Sequence, residues 1–292
     1  MVLLKLVKST FSDVIPDLIK HSSNVTQWGL QRGTTILYIP YLPFNFFLEK
    51  NDLNSKQKNV ISNISNLNKQ TKMQATTKIV DNWKKVLNAL KTNRNMGKLW
   101  SKAIEDHSEI DLEESKKLND YRLAAHAFIW SKNDQSLWEL SSKASIMMQM
   151  RFDGFIGFPG GLIDSTDASV VDGLNRELRE EINLNEKYYI TNENYFFSSV
   201  NHQRKIILHF YVKEVTQTEL IGIEKAALDS HDYGTEVMGI IRPPLYDIKP
   251  GRGFNIFLQN QFVGNSLLQL LKTMSLLDIL DNQTILKFID SC

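Results

Sequence analysis

The stretch that most restricts how this chain can fold runs from Gly160-Gly161-Leu162-Ile163-Asp164 to Arg176-Glu177-Leu178-Arg179-Glu180-Glu181-Ile182-Asn183. A Gly-Gly turn passes into a polar loop. The loop passes into a segment where Val170, Leu174, Leu178 and Ile182 recur four apart, the apolar stripe of an amphipathic helix. Glu177, Glu180 and Glu181 stand at i, i+3 and i+4, so they share a different face. Like charges at that spacing repel by roughly a few tenths of a kcal/mol per pair, so the helix gains no stability from them. The pattern therefore predicts a cation. Hard divalent ions such as Mg²⁺ or Mn²⁺ take carboxylate oxygens and keep water and phosphate oxygens in their remaining positions. An ordinary solvated helix would account for any one of these glutamates, but not for turn, loop and triad together.

Arg176-Glu177-Leu178-x-Glu180-Glu181-x-Asn183-Leu184 resembles the second half of the Nudix box, with Asn183 in place of the closing glycine. Asn is the next-best residue for the left-handed turn that ends a helix. The first half is one residue longer than the pattern, and its acidic position holds Asp167 rather than Glu. The flanks narrow the resemblance. Met148-Gln149-Met150-Arg151-Phe152-Asp153-Gly154, Gly157-Phe158-Pro159-Gly160-Gly161 and Asp172-Gly173-Leu174-Asn175-Arg176-Glu177 are similar to the U8 snoRNA-decapping branch of Nudix hydrolases. That branch shares the lengthened loop and also hydrolyses inosine diphosphates. The likeness continues through His209-Phe210-Tyr211, Glu236-Val237-Met238-Gly239, Pro244-Leu245-Tyr246 and Phe262-Val263-Gly264. It spans residues 110–292 and leaves the first hundred unexplained.

The resemblance implies a Nudix α/β/α sandwich: a mixed sheet between helices, with the box as loop, helix, loop. It implies that Glu177 and Glu181 hold Mg²⁺ or Mn²⁺ with the Gly160 carbonyl, while Glu180 ligates a second ion or orients water. Arg176 would fix the glutamates through charge-assisted hydrogen bonds, and Arg179 would serve solubility or a nearby salt bridge. Glu236 is the candidate for a further acidic group outside the box; the alternative is a surface glutamate at a strand start. His126 and Gln269 match base-contacting residues of the family, and Asn265 is a weaker candidate. Arg151, just before the glycine-rich turn, would fork onto phosphate or stack on a base; the alternative is a surface salt bridge. Phe158 would stack on a purine from the rim of the site, or else be plain core.

The implied substrates are capped RNA, releasing m7GDP, and purine nucleoside diphosphates such as (deoxy)inosine diphosphate; the alternative is a nucleotide-pool sanitising diphosphatase of (deoxy)inosine diphosphate without an RNA role. The family is often dimeric, and an RNA-decapping role implies the nucleus (nucleolus and nucleoplasm) and the cytoplasm. A different class of reading is a catalytically silent scaffold that keeps the fold and binds partners. Relatives of that kind lose box glutamates, and here all three remain.

Charge is divided unevenly along the chain. Residues 1–108 carry 16 Lys+Arg against 7 Asp+Glu, and the remainder carries 18 against 26. A basic extension over residues 1–108, partly disordered or helical, thus precedes an acidic hydrolase domain over residues 109–292. Residues 1–12 are apolar and basic, but lack the arginines that organelle-targeting peptides favour. Residues 51–71 are dominated by Asn, Lys, Ser and Gln and read as a flexible linker. Ile79, Trp83, Val86 and Leu90 then fall at helical spacing among lysines. Such a helix either binds an acidic surface, a partner helix or RNA phosphates, or packs on the domain with its lysines in water. Cys292 is the single cysteine, which excludes a disulfide framework and fits a reducing, intracellular compartment. The longest apolar stretch is broken by Pro40 and Pro43, so no membrane partner is expected.

Further along, alternation of Leu123, Ala125, Ala127 and Ile129 with Ala124, His126, Phe128 and Trp130 predicts a strand with His126 opposite Ile129. Strands are also expected over 145–152, 195–200, 206–215 and 236–242, with His209 structural, and a closing helix around Leu267–Met274.

Overall fold

The computed structural model describes residues 83–133, 140–246 and 252–292, with short strands at Ile36–Leu37, Phe46–Phe47 and Ser136–Leu137. The chain divides into two compact units, Met1–Met73 and Gln74–Cys292. In the first, Ile36–Leu37 (β1) pairs antiparallel with Phe46–Phe47 (β2). The targeting-like segment at 1–12 and the linker at 51–71 lie outside the described residues.

The second unit opens with a helix over 83–92 (α1), then Gly97–Asp106 (α2), strand Ser108–Ile110 (β3) and the short helix Leu112–Ser115 (α3). Strands follow at Arg122–Lys132 (β4), Ser136–Leu137 (β5), Leu140–Ser141 (β6), Ala144–Ile146 (β7), Met148–Arg151 (β8), Ile156–Gly157 (β9) and Gly160–Leu162 (β10). Then come helix Val170–Ile182 (α4), strands Tyr195–Asn201 (β11) and Ile206–Glu214 (β12), and helix Gln217–Ala226 (α5). Strand Val237–Ile241 (β13) and helices Phe254–Phe257 (α6), Ser266–Leu276 (α7) and Asn282–Asp290 (α8) complete the unit. The main sheet has the order β10-β4-β12-β11-β3, with β7 also on β4; β13-β8-β9 forms a second sheet. It is mixed: β4 and β12 run parallel from Arg122 beside Ile206 to Trp130 beside Glu214, and the other pairs are antiparallel. No helix of the described residues is long and apolar enough to cross a membrane.

Alternation along β4 builds the layers. Ala125, Ala127 and Ile129 enter a cluster with Leu174, Leu178 and Ile182 of α4 and Leu220 and Ile223 of α5. Phe128 and Trp130 enter the opposite cluster, with Val86 and Leu90 of α1, Trp100 of α2, Leu267 and Leu270 of α7 and Phe288 of α8. Each fully buried side chain of this size contributes about 1.5–3 kcal/mol, so the two faces of one strand fix helices on both sides. The three apolar residues that the α4 stripe buries are all 0% exposed.

Two sequence expectations differ from the structure. The strand expected over 145–152 is two strands: Ile146 of β7 pairs with Trp130, whereas Gln149 of β8 pairs with Gly157 and Ile240. Met147 is the crossing point between the sheets, its N–H still bonded to the Ile129 carbonyl (2.9 Å). The second difference concerns α1 and α2, which the division at residue 108 left in the extension. Val86, Leu90 and Trp100 are buried in the core, and Asn93 and Asn95 donate to the carbonyls of Ile289 and Cys292 (2.8 and 2.9 Å). The apolar stripe of α1 is spent on packing, with Lys85 and Lys91 exposed on its other side.

Candidate active site

Helix α4 is fixed at both ends. Ser169 caps it, its Oγ accepting from the Asp172 N–H (3.1 Å). Asn183 closes it in the left-handed region (φ 50°, ψ 42°), and the Leu184 N–H reaches back to the Leu178 carbonyl (3.2 Å). That geometry explains how Asn substitutes for glycine in the box.

The Gly-Gly turn sits against the helix. Gly160 has φ +124°, and a Cβ there would strike the Ala125 carbonyl oxygen, so only glycine fits. A Cβ on Gly161 would meet the Glu177 carboxylate, which therefore lies directly over the turn. Glu181 turns beneath it. At 4% exposure it accepts the Gly160 N–H at Oε2 (2.6 Å) and the Gln149 amide Nε2 at Oε1 (2.9 Å). Burial pushes the Glu181 carboxyl up to about 8, against the pull of those two donors.

Arg176 organises the other two glutamates. Its Nη1 donates to Glu177 Oε1 (2.7 Å) and Glu180 Oε2 (3.0 Å). Its Nε and Nη2 fork onto Asp167 Oδ1 and Oδ2 (both 3.1 Å), and Nη2 also reaches the Leu162 carbonyl (3.2 Å). Two carboxylates on one guanidinium shift in opposite directions. The fork from Arg176 holds Asp167 below its ordinary value, while burial outweighs Arg176 at Glu177 and raises it. Asp167 in turn lies against Gly173, where a Cβ would come within 2.5 Å of its Oδ2. Asp167 thus holds the arginine, and the longer loop brings it there.

The spacing in sequence suggested three carboxylates on one face. In the structure Arg176 stands between Glu177 and Glu180, and Glu181 is tucked under the turn. As they stand, no three Asp, Glu, His or Cys side chains among the described residues form an ion cage. The donor set still suits a hard divalent cation: Glu177, Glu180 and Glu181 are oxygen ligands, and both turn glycines keep the approach free of side chains. Among the described residues, the ion pairs leave Glu181 with no Lys or Arg partner. Glu236 is exposed just before β13, and its negative charge contributes to the rise at Glu177, so it belongs to the same rim. Arg179 is exposed on the outer face.

The residues expected to hold substrate separate into two groups. His126 is partly exposed, on the face of β4 opposite Ile129, beside Gly160. Its Nδ1 is buried with no partner among the described residues, and burial together with the Arg151 charge pushes the ring down to about 4. Gln269 on α7 is buried, with Nε2 also unpartnered. Arg151 pairs with Asp153 (3.1 Å) and lies over the Phe152 ring, and its charge reaches both His126 and Glu181. Phe158 corrects the expectation of a ring at the rim. It is 2% exposed, with its ring against Phe210 (5.0 Å) and Phe128 (5.6 Å), because its side chain enters the same cluster as theirs. Asn265 donates to Ser199 Oγ (2.8 Å). His209, read as structural, is buried with Nδ1 at 2.7 Å from Ser198 Oγ. Gln149 and the arginine-holding role of Asp167 escaped the sequence reading. The available signal for Gln149 was one amide between two methionines on a strand.

A carboxylate-bearing helix pinned by a Gly-Gly turn to a mixed sheet with helices on both faces is the construction of a Nudix hydrolase. Residues 123–280 match the model of the Nudt16-like family, described as U8 snoRNA-decapping enzyme-like, and this chain belongs to that family. The U8 snoRNA-decapping enzyme of Mus musculus is 37% identical over 188 residues, 63% of this chain and 96% of that protein. The enzyme of the same name from Homalodisca vitripennis is 42% identical over 158 residues, 52% of this chain and 84% of that one. The Tudor-interacting repair regulator protein of Homo sapiens is 32% identical over 189 residues, 63% of this chain and 88% of that protein. Among solved structures, the NUDIX domain of Shewanella oneidensis NrtR complexed with ADP ribose aligns at 15% identity over 61% of this chain and 97% of that one, with a TM-score of 0.33.

Proposed function

We propose that this protein hydrolyses a pyrophosphate bond in capped RNA, releasing m7GDP and a 5′-monophosphate end, and also converts (deoxy)inosine diphosphate to the monophosphate. The observation that carries the reading is the charge arrangement on α4. Glu177 and Glu180 are held by Arg176, and Glu181 is buried on neutral donors, in a chain similar to proteins named U8 snoRNA-decapping enzyme. Glu177, Glu180 and Glu181, with the Gly160 carbonyl and Glu236, would hold Mg²⁺ or Mn²⁺. When bound, the cation supplies Lewis acidity to the phosphoryl oxygens and lowers the pKa of water.

This chain's own groups orient the reactants. Water oxygen joins phosphorus, the bond from phosphorus to the bridging oxygen breaks, and the proton passes to solvent at neutral pH. Arg176 keeps Glu177 and Glu180 in register through that exchange. His126 is neutral at physiological pH, and its Nδ1 and Gln269 Nε2, both without a partner among the described residues, would meet a purine edge. Arg151 is placed to meet phosphate once it leaves Asp153. Phe158 would serve as the floor on which those groups rest. Lysines of the basic segment would add salt-dependent affinity for RNA and would be idle with a free nucleotide. This reading places the protein in the nucleus and cytoplasm, with homodimerisation as its assembly.

A second reading, a partner-binding scaffold without turnover, is favoured by the relatives named Tudor-interacting repair regulator. Retention of all three glutamates, two of them on an intact Arg176 clamp, weighs against it. The deciding experiment incubates the protein with cap-labelled RNA and with inosine diphosphate, side by side, in Mn²⁺. Release of m7GDP and of IMP supports the proposal. IMP alone would make the protein a nucleotide-pool enzyme, and neither product would move the scaffold to first place.

A further inference from the structure

Gln149 has no assigned task, and its surroundings make it costly. It is 1% exposed, and among the described residues its Oε1 has no partner and its one side-chain hydrogen bond is Nε2 to Glu181 Oε1 at 2.9 Å. Burying an amide with its acceptor unmade destabilises a fold, and an apolar group of the same shape would avoid that cost while leaving Glu181 Oε1 without its donor. Methionine is that group, and Met148 and Met150 occupy the neighbouring positions of β8. What the glutamine returns to the fold is thus confined to its one bond to Glu181.

The contrast with the rest of the triad supplies a reason for that bond. Glu177 and Glu180 are both paired with a cation, Arg176. Glu181 is held by two uncharged donors, the Gly160 N–H and the Gln149 amide. Arg151, whose charge also reaches it, is engaged with Asp153. A lysine or arginine at 149 would hold the carboxylate equally well and cancel its charge.

We propose that Gln149 is a positioning residue: it fixes the Glu181 carboxylate with a neutral donor, so that the charge is oriented yet left for a divalent cation. This inference rests on the reading of Glu181 as a metal ligand. Partners of this kind, one bond removed from the ion, typically change metal affinity by about 10–100-fold when lost.

The test is direct titration of the full chain with Mn²⁺, following free ion by its paramagnetic resonance, alongside thermal unfolding without metal. Gln149→Met is expected to bind Mn²⁺ on the order of tenfold more weakly while its melting temperature changes little, because the donor lost to Glu181 is offset by removal of the unmade Gln149 acceptor. Gln149→Lys is expected to lose the tightest Mn²⁺ ion, because its ammonium takes the place of the cation. A purely structural glutamine would give the reverse pattern: a lower melting temperature with unchanged Mn²⁺ affinity. Affinity within about twofold of wild type for a folded Gln149→Met overturns the inference while leaving the metal site standing. A wild-type chain that binds no Mn²⁺ overturns the reading of Glu181 itself. Should the lysine variant fail to fold, the methionine variant alone decides.

Discussion

Gly161 is the residue at which sequence, geometry and chemistry meet most closely. A methyl group there would occupy the space of the Glu177 carboxylate, which is the far end of a flexible side chain and can move. Gly161→Ala should therefore fold, with a melting temperature near wild type, but turn over on the order of 100-fold more slowly, because misplacing a catalytic group by an ångström costs about that much. Wild-type turnover in that variant would show that Glu177 is not needed where it stands. Gly160→Ala should behave differently. Its Cβ meets backbone, the Ala125 carbonyl, so the measurable outcome is loss of soluble, folded protein. The triad and the turn were legible in the sequence because their spacing is local and periodic. Asp167 was visible as an acidic residue out of step, but its grip on Arg176 depends on the path of the longer loop. Gln149 showed only as one amide between two methionines: its partner is 32 residues away, and nothing in the strand marks which side chain turns toward the helix.

At the scale of elements, the caps of α4 determine how rigidly the glutamates are presented. Asn183 already has positive φ and should tolerate glycine with little change in stability. Asn183→Ala, lacking the side chain that makes this conformation tolerable, should cost about 1 kcal/mol. Ser169→Ala should cost about the same through the lost bond to Asp172. Urea midpoints of the three variants check both statements, and a loss for glycine equal to that for alanine would contradict the first. The helix itself was legible from one stripe. The break between β7 and β8 was not, because Ser145-Ile146-Met147-Met148-Gln149 contains no Gly or Pro to mark it, and only pairing with two different partners makes two strands of one run. Helix α8 was overlooked, although Ile285, Phe288 and Ile289 stand at i, i+3 and i+4 and Asp281 caps it (2.9 Å).

At the scale of the whole unit, buried titratable groups set how stability follows pH. Glu181 rises from its ordinary value to about 8, and Glu177 shifts the same way. Such a carboxyl contributes stability that is full below the unfolded-state value and is lost as pH rises through the folded one. His126 and His209 are lowered to about 4, so their contribution is present above about 6.5 and lost as pH falls toward 4. In the absence of divalent ions, stability should therefore decline between about pH 6.5 and 8. Glu181→Gln should flatten that decline. Added Mn²⁺ should reverse it, because a bound cation favours the ionised carboxylate. Thermal unfolding across this window, with chelator and with Mn²⁺, reads all three. The layered architecture was legible from the alternation along β4, whose two faces serve two clusters. The extent of the domain was not, since composition joined α1 and α2 to the basic segment while their buried faces join them to the core.

The central claim is that the glutamates of α4, and not merely the fold around them, carry out hydrolysis. Its most direct test is release of m7GDP from cap-labelled RNA in Mn²⁺ by wild type and by Glu181→Gln, each checked for an intact melting transition. Release by the wild type and a loss of at least about 100-fold in the variant are expected. Equal release from a folded Glu181→Gln would contradict it.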